Sequence, residues 1–341
     1  VNASARTGGD GCDRFELPYG VNIITDLETC DIFRVAENSA LIATGISEFI
    51  STRHVENKGS VSLIANDNGS LLDISNAFNG QFNLVGGRGN DFLTGSNNDD
   101  LLTGGEGSDT FIILSGIDQI SDLTTGDILK VSLNATAIAN NVIDFKATSD
   151  TMNEGTVILK SSKTNSVIDM SKSSYGAYTI IGSSGIDTLT GGSGDDTLTG
   201  DGSNSSQNGS LKARFLELER SVNTFNITSG VDTITDLTTG DILVVSGGAT
   251  ANAPNISSFV ATSSTSNSGI ANLTAGNSGS TITMTNASGG VFTLTGGSGI
   301  DFFTGASEND ILNGGLGNDH LTGGGEADTF YISSDIDTVS D

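Results

Sequence analysis

Glycine-rich nonapeptides recur in register along this chain, and a repeat of nine constrains its fold more than any other feature. One block reads GGRGNDFLT, GSNNDDLLT, GGEGSDTFI over residues 86–112, and a second reads GSSGIDTLT, GGSGDDTLT over 182–199. A third reads GGSGIDFFT, GASENDILN, GGLGNDHLT, GGGEADTFY over 296–331. The segment GGDGCDRFE at 8–16 is the closing coil of a further block. Each unit is glycine-rich for four residues, has Asp at the sixth position and has a large apolar residue at the eighth. The glycines permit tight turns with positive φ and close approach of neighbouring backbones. The last residues alternate polar and apolar, as a short strand with one face in a core does.

A longer repeat encloses the nonapeptides. Phe111–Ser132 (FIILSGIDQISDLTTGDILKVS) recurs as Phe225–Ser246 (FNITSGVDTITDLTTGDILVVS), with 16 of 22 positions identical. Weaker copies begin at Phe15 and Phe330, and the intervals between successive copies differ from one another by one or two nonapeptide lengths. The span from each leading Phe to the next glycine block is the same in all three copies (Phe15 to Gly86, Phe111 to Gly182, Phe225 to Gly296). Phe49, Phe145 and Phe259 share one offset within it. All length change therefore lies in the nonapeptide blocks, whose coils are added or dropped without disturbing the rest. That is solenoid behaviour.

This predicts an all-β chain of tandem parallel β-roll or β-solenoid blocks joined by β-rich spacers. Its parts are a closing coil at 1–15 and a first unit at 16–111 (spacer 16–85, nonapeptides 86–111). A second unit covers 112–225 (spacer 112–181, nonapeptides 182–199, atypical insertion 200–225). A third covers 226–330 (spacer 226–295, nonapeptides 296–330), and a further unit starts at 331–341. Phe82, Tyr178 and Phe292 replace the sixth-position Asp just before each block, marking coils that start the solenoid. Within the insertion, KARFLELER places Leu211, Phe215, Leu218 and Val222 on one stripe, which predicts one short helix near 209–222. Lys212, Arg214 and Arg220 there are the basic residues best suited to meet a neighbouring acidic subunit.

Charge narrows the function. Lys+Arg is 14 against Asp+Glu 41, a formal charge of −27, so the basic footprint that phosphate needs is missing and no nucleic-acid partner is expected. There is no apolar run long enough to span a membrane. No HExxH, GxSxG or P-loop string occurs, and Cys12, Cys30, His54 and His320 fit no zinc spacing. His54 and His320 read as surface side chains, and no enzyme is expected. The opening VNASARTGGDG has neither Met nor the pattern of a signal peptide. Carboxylates stacked at strand spacing, about 4.8 Å, repel one another unless a cation lies between them. Hard oxygen donors on flexible turns favour calcium over zinc or magnesium.

The units resemble the GGxGxDxUx nonapeptide of RTX proteins. That resemblance implies a β-roll with two nonapeptides per turn and Ca2+ held between turns by sixth-position Asp residues and turn carbonyls. Carried onto this chain, the full pairs are Asp91 with Asp109, Asp301 with Asp319, and Asp310 with Asp328. Asp100, Asp187 and Asp196 have an Asp on at most one side and should bind more weakly, while Asp13 belongs to the cut block. The implied turn donors are Gly86, Gly87, Gly89, Gly104, Gly105 and Gly107; Gly191, Gly192 and Gly194; and Gly296, Gly297, Gly299, Gly314, Gly315 and Gly317. The DxIxDLTTGDIL stretch resembles the segment after the roll in RTX exoproteins. Its carboxylates (Asp118, Asp122, Asp127; Asp232, Asp236, Asp241) serve either an edge calcium or turn capping. Cys12 and Cys30 suit a disulfide, with free thiols as the alternative. NxS/T sequons, Asn68 and Asn134 among them, permit glycosylation.

The nearest resemblance is to secreted bacterial RTX surface proteins: surface-layer, sheath or filament proteins and repetitive adhesins. It implies type I secretion, folding on Ca2+ outside the cell, and assembly with copies of itself, with cell-surface polysaccharide a further candidate partner. The alternatives are an adhesin or toxin stalk and the folding module of an exoenzyme.

Overall fold

The computed structural model describes residues 4–183, 187–192, 194, 196–200, 206–208, 224–227, 231–234, 237–333 and 335–340. The described residues are all β, without helix. They form two compact units, Val1–Lys160 with Lys172–Gly176, and Ser161–Ser171 with Ala177–Asp341. The helix expected near 209–222 lies outside the described residues.

In the first unit one sheet runs in the order Ser4–Arg6, Gly20–Ile24, Ser39–Ile46, Ser60–Ala65, Phe82–Arg88, Leu101–Glu106, Ile117–Ile120, Thr136–Val142. Strands between these in the chain lie in other sheets: Glu48–Ile50, Leu71–Asp73, Phe92–Thr94, Thr110–Ile113, Ile128–Val131 and Met152–Asn153 form one such series. Neighbouring strands pair in parallel, so the chain climbs a β-solenoid by visiting its sheets in turn. Period-2 alternation decides which side chains enter the core, as in Phe82–Arg88, where Phe82 and Leu84 are buried. Phe33 and Phe49 stack with ring centroids 5.8 Å apart, and Phe82 meets Phe33 edge-on.

The second unit repeats this architecture. Val167–Asp169, Thr188–Thr190, Ser206–Asn208, Val231–Ile234, Thr250–Ile256, Ile270–Ala275, Phe292–Thr295, Ile311–Asn313 and Thr329–Tyr331 form one sheet. Tyr178–Ile181, Thr197–Gly200, Thr224–Ile227, Ile242–Val245 and Ser266–Asn267 lie in a second. Phe225, Phe259, Phe292 and Phe303 fill a common core.

Coil length follows sequence type. In the nonapeptide blocks Asn83 pairs with Leu101, Phe92 with Thr110, and Phe302 with His320, each pair separated by two nonapeptides. In the spacers the coils are longer and unequal: Leu41 pairs with Val61, Phe49 with Leu72, and Val131 with Asn153. The spacers are therefore longer coils of the same solenoid, and the extra residues sit in turns. One such turn needs a left-handed residue at equivalent places in the three copies: Asn38 (φ 62), Asn134 (φ 67) and Gly248 (φ 86). Buried Asn57, Asn153 and Asn267 recur likewise, their Oδ1 atoms accepting the amides of Gly59, Gly155 and Gly269 at 2.9 Å. Around the insertion, Thr197 pairs with Thr224, a coil one nonapeptide longer than those of the regular blocks. Ser206–Asn208 forms a strand in register with Thr188–Thr190.

Candidate metal centre

Each sixth-position Asp stands where a glycine turn enters a short strand, and its carboxylate faces two ways. One oxygen accepts the amide of the sixth residue one coil earlier. In the first unit Asp91 N donates to Asp109 Oδ1 (2.8 Å), Phe82 N to Asp100 (2.7 Å), and Asp100 N to Asp118 (2.8 Å). In the second unit Asp301 N donates to Asp319 (2.9 Å), Asp310 N to Asp328 (2.7 Å), and Asp319 N to Asp337 (3.0 Å). Ser166 N and Tyr178 N donate to Asp187 and Asp196 at 2.8 Å, and Phe292 N to Asp310 at 2.7 Å. Asp13 N closes the same contact on Asp31 at 2.8 Å. The three pairs expected from the sequence are thus brought together, each across two nonapeptides.

The other oxygen faces the turn. Oδ2 of Asp13, Asp91, Asp118, Asp319 and Asp328 is buried and meets no hydrogen-bond donor. In Asp13, Asp91, Asp319 and Asp328 it occupies the space a side chain would need on the first glycine of its repeat, and in Asp118 the space beside Gly95. A Cβ on Gly86 would fall 2.6 Å from Asp91 Oδ2 and against the Gly104 carbonyl oxygen. One on Gly296 would fall 2.6 Å from Asp301 Oδ2 and against the Gly314 carbonyl. Gly104, Gly191 and Gly314 face Asp109, Asp196 and Asp319 in the same way. The second and fourth glycines have a different duty. Gly87, Gly105 and Gly315, and Gly89, Gly107 and Gly317, have φ between 85° and 138°. Gly297 and Gly299 do not, but a Cβ on either would collide with the backbone of the turn at 276–279. Gly192 and Gly194 lie in the turn of their repeat.

An unpartnered buried carboxylate oxygen beside a turn carbonyl is a costly arrangement on its own and a fitting one for a hard cation. The sixth-position Asp residues and the turn carbonyls would hold Ca2+, and the cation would neutralise the stacked charges. Burial is the main force pushing these carboxyls up, with neighbouring carboxylates adding to it at all but Asp91: Asp91, Asp100, Asp301, Asp310 and Asp319 are all raised. Asp109 is raised to about 6 and Asp118 to about 8, in both cases first by desolvation and then by neighbouring carboxylates.

Asp118 stands on one side of Asp100 and Phe82 on the other. Within the nonapeptides alone Asp100 has an Asp on at most one side, and Asp118 follows it one coil later. A Cβ on Gly95 would lie 2.6 Å from Asp118 Oδ2 and 3.2 Å from Asp100 Oδ2, so both carboxylates face one turn. The nine-residue series 91, 100, 109, 118, 127 is the signal in the sequence. It is obscured because Ile113 and Leu114 stand where a repeat has two glycines. Asp127 and Asp122 do cap turns. Asp127 accepts Asp109 N (2.9 Å) and Thr124 N (2.8 Å), while Asp122 accepts Gly104 N (2.9 Å) and Gly105 N (2.7 Å). Asp241 likewise accepts Thr238 N at 2.8 Å, and Asp236 lies outside the described residues.

Cys12 and Cys30 are joined in a disulfide with Cα atoms 5.2 Å apart. His54 and His320 are exposed, and the His320 ring stacks on Phe302 at 4.7 Å.

The repeat ladder and its cradles define a β-roll whose carboxylates would suit a hard cation. The family described as the RTX calcium-binding nonapeptide repeat (4 copies) matches residues 83–120, 179–205 and 293–339, segments that include Asp118 and Asp337. The chain thus carries RTX-type calcium-binding nonapeptide repeats in these three segments. No curated protein matches it.

Proposed function

We propose that this protein is a secreted structural component of a bacterial cell surface, a layer, sheath or filament, that folds and assembles on Ca2+. The observation that carries the reading is the carboxylate ladder repeated in separate blocks between equal spacers, each rung with an oxygen aimed into a turn. Such a chain devotes its acidic groups to holding coils together. Its sequence has no catalytic constellation, and among the described residues no helix is long and apolar enough to cross a membrane. Copies of itself are the proposed partners, joined laterally through calcium shared between acidic faces and through the basic residues Lys212, Arg214 and Arg220.

Electron microscopy of the native material tests this, before chelation, after it, and with calcium restored. A lattice or fibre that loosens in chelator and re-forms with Ca2+, but poorly with Mg2+, is the expected result. Isolated monomers in millimolar calcium would count against a polymer and favour an adhesin stalk.

A further inference from the structure

The first coils are built differently from their later copies at three places. Cys12 occupies the position of Ser108 and Cys30 that of Gly126, and the two cysteines are bonded across one coil, next to the Asp13–Asp31 contact. Cys30 keeps the left-handed backbone of that turn, φ 93 against 116 at Gly126, a conformation that disfavours any side chain. Asn22 stands where the later copies have Asp118 and Asp232. Whereas Asp118 Oδ2 is buried without a donor, Asn22 is neutral, buried and satisfied: its Oδ1 accepts Arg6 Nε at 3.1 Å, and its Nδ2 donates to the Ala40 carbonyl at 3.2 Å. Asp31 closes the series with both oxygens used, by Asp13 N (2.8 Å) and Glu28 N (2.9 Å).

We infer that these coils are a redox-dependent, metal-independent staple: the Cys12–Cys30 bond and the Arg6–Asn22 contact hold residues 4–50 together where later coils depend on a cation. Asp13 Oδ2 and Asp26 Oδ1 are still buried without a donor, so this region retains oxygens for a cation. Its coil structure does not require one. A covalent link between adjacent coils restricts the unfolded chain and keeps the strand edges of the first turns in register. In an oxidising environment the solenoid then always holds one formed segment, onto which calcium-loaded coils add. Reduction removes the link and leaves Cys30 as an ordinary residue in a backbone region suited to glycine.

The inference rests on calcium-dependent folding of the later coils, and the test separates the two. Hydrogen–deuterium exchange is followed on the full chain in excess chelator, oxidised and reduced, with the disulfide state checked by mass. Peptides within 4–50 should exchange at least roughly tenfold more slowly than those within 86–130 in the oxidised chain, and should lose that protection on reduction. The double variant Cys12→Ser/Cys30→Gly restores the residues of the second copy and relieves the backbone. It should fold in calcium yet show no protection of 4–50 in chelator. Fast exchange of 4–50 in oxidised, chelated protein overturns the staple, as does protection that survives both reduction and the double variant. Protection of 86–130 in chelator would overturn calcium-dependent folding. Loss of the 4–50 protection on reduction would still support the staple.

Discussion

At the scale of single residues, the first glycine of each nonapeptide is fixed by a carboxylate rather than by its own φ. Gly86→Ala should therefore act through the metal centre, because the new methyl group displaces Asp91 Oδ2 and the Gly104 carbonyl. We expect a loss of about 1–3 kcal/mol in calcium, read from thermal melts, and weaker binding by calorimetry. Asp118→Asn should have opposite effects under two conditions. It removes a buried oxygen that has no donor, so without metal at neutral pH it should raise stability by about 1–3 kcal/mol, while in calcium it should lower the gain on binding. A variant destabilised under both conditions would show that Asp118 serves only the fold. Asp319→Ala should hurt more than Asp187→Ala, since Asp319 has Asp301 and Asp337 on its two sides while Ser205 follows Asp187. Calcium titrations of the two variants measure the difference.

At the scale of elements, nine-residue spacing and period-2 alternation made the short strands and their stacking legible from sequence, while the parallel roll and the Asp pairs came from the resemblance to RTX repeats. Two things were not legible. The spacers read as separate β segments because their coils differ in length: Gly20 pairs with Ser39, but Phe49 reaches on to Leu72. A varying period hides stacking that a fixed one reveals. Turn capping by Asp127 also looked the same in sequence as the place of Asp109 beside Gly104, because only the direction of the second oxygen distinguishes them. The ladder as an element has a pH signature. Asp109 and Asp118 have folded pKa values above the usual carboxylate value, so the metal-free fold binds more protons than the unfolded chain. Their contribution is fully present below about pH 4, the unfolded carboxyl range, and is lost as pH rises through about 6 for Asp109 and about 8 for Asp118. Metal-free protein should accordingly melt higher at pH 5 than at pH 8.5. Equal or reversed midpoints would show that these carboxyls are not buried in the metal-free state.

At the scale of the whole molecule, charge dominates. With a net charge of −27 and a core of short strands, removing calcium should convert most of the chain to disorder by circular dichroism. An unchanged β signal in excess chelator is the contrary result. The effect should be steepest in residues 224–341, which contain neither Lys nor Arg, so only protons or bound cations can offset their carboxylates. Exchange protection at rising calcium should appear there over a narrower concentration range than in residues 86–160, where Arg88, Lys130, Lys146 and Lys160 supply positive charge.

Two nonapeptides make one turn, so whether a block holds an odd or even number of them has a consequence of its own: parity decides which way the chain faces. The block of three carries the chain from the sheet of Phe82–Arg88 to the different sheet of Thr110–Ile113. The block of four returns it from Phe292–Thr295 to Thr329–Tyr331 in the same sheet. Gain or loss of a single nonapeptide thus turns everything downstream to the opposite side, whereas a pair leaves its facing unchanged. The long coil between Thr197 and Thr224 takes up one extra nonapeptide length without this reversal, since both strands share a sheet. A nine-residue slip in such a sequence is therefore a heritable way to present the same surface to the other side.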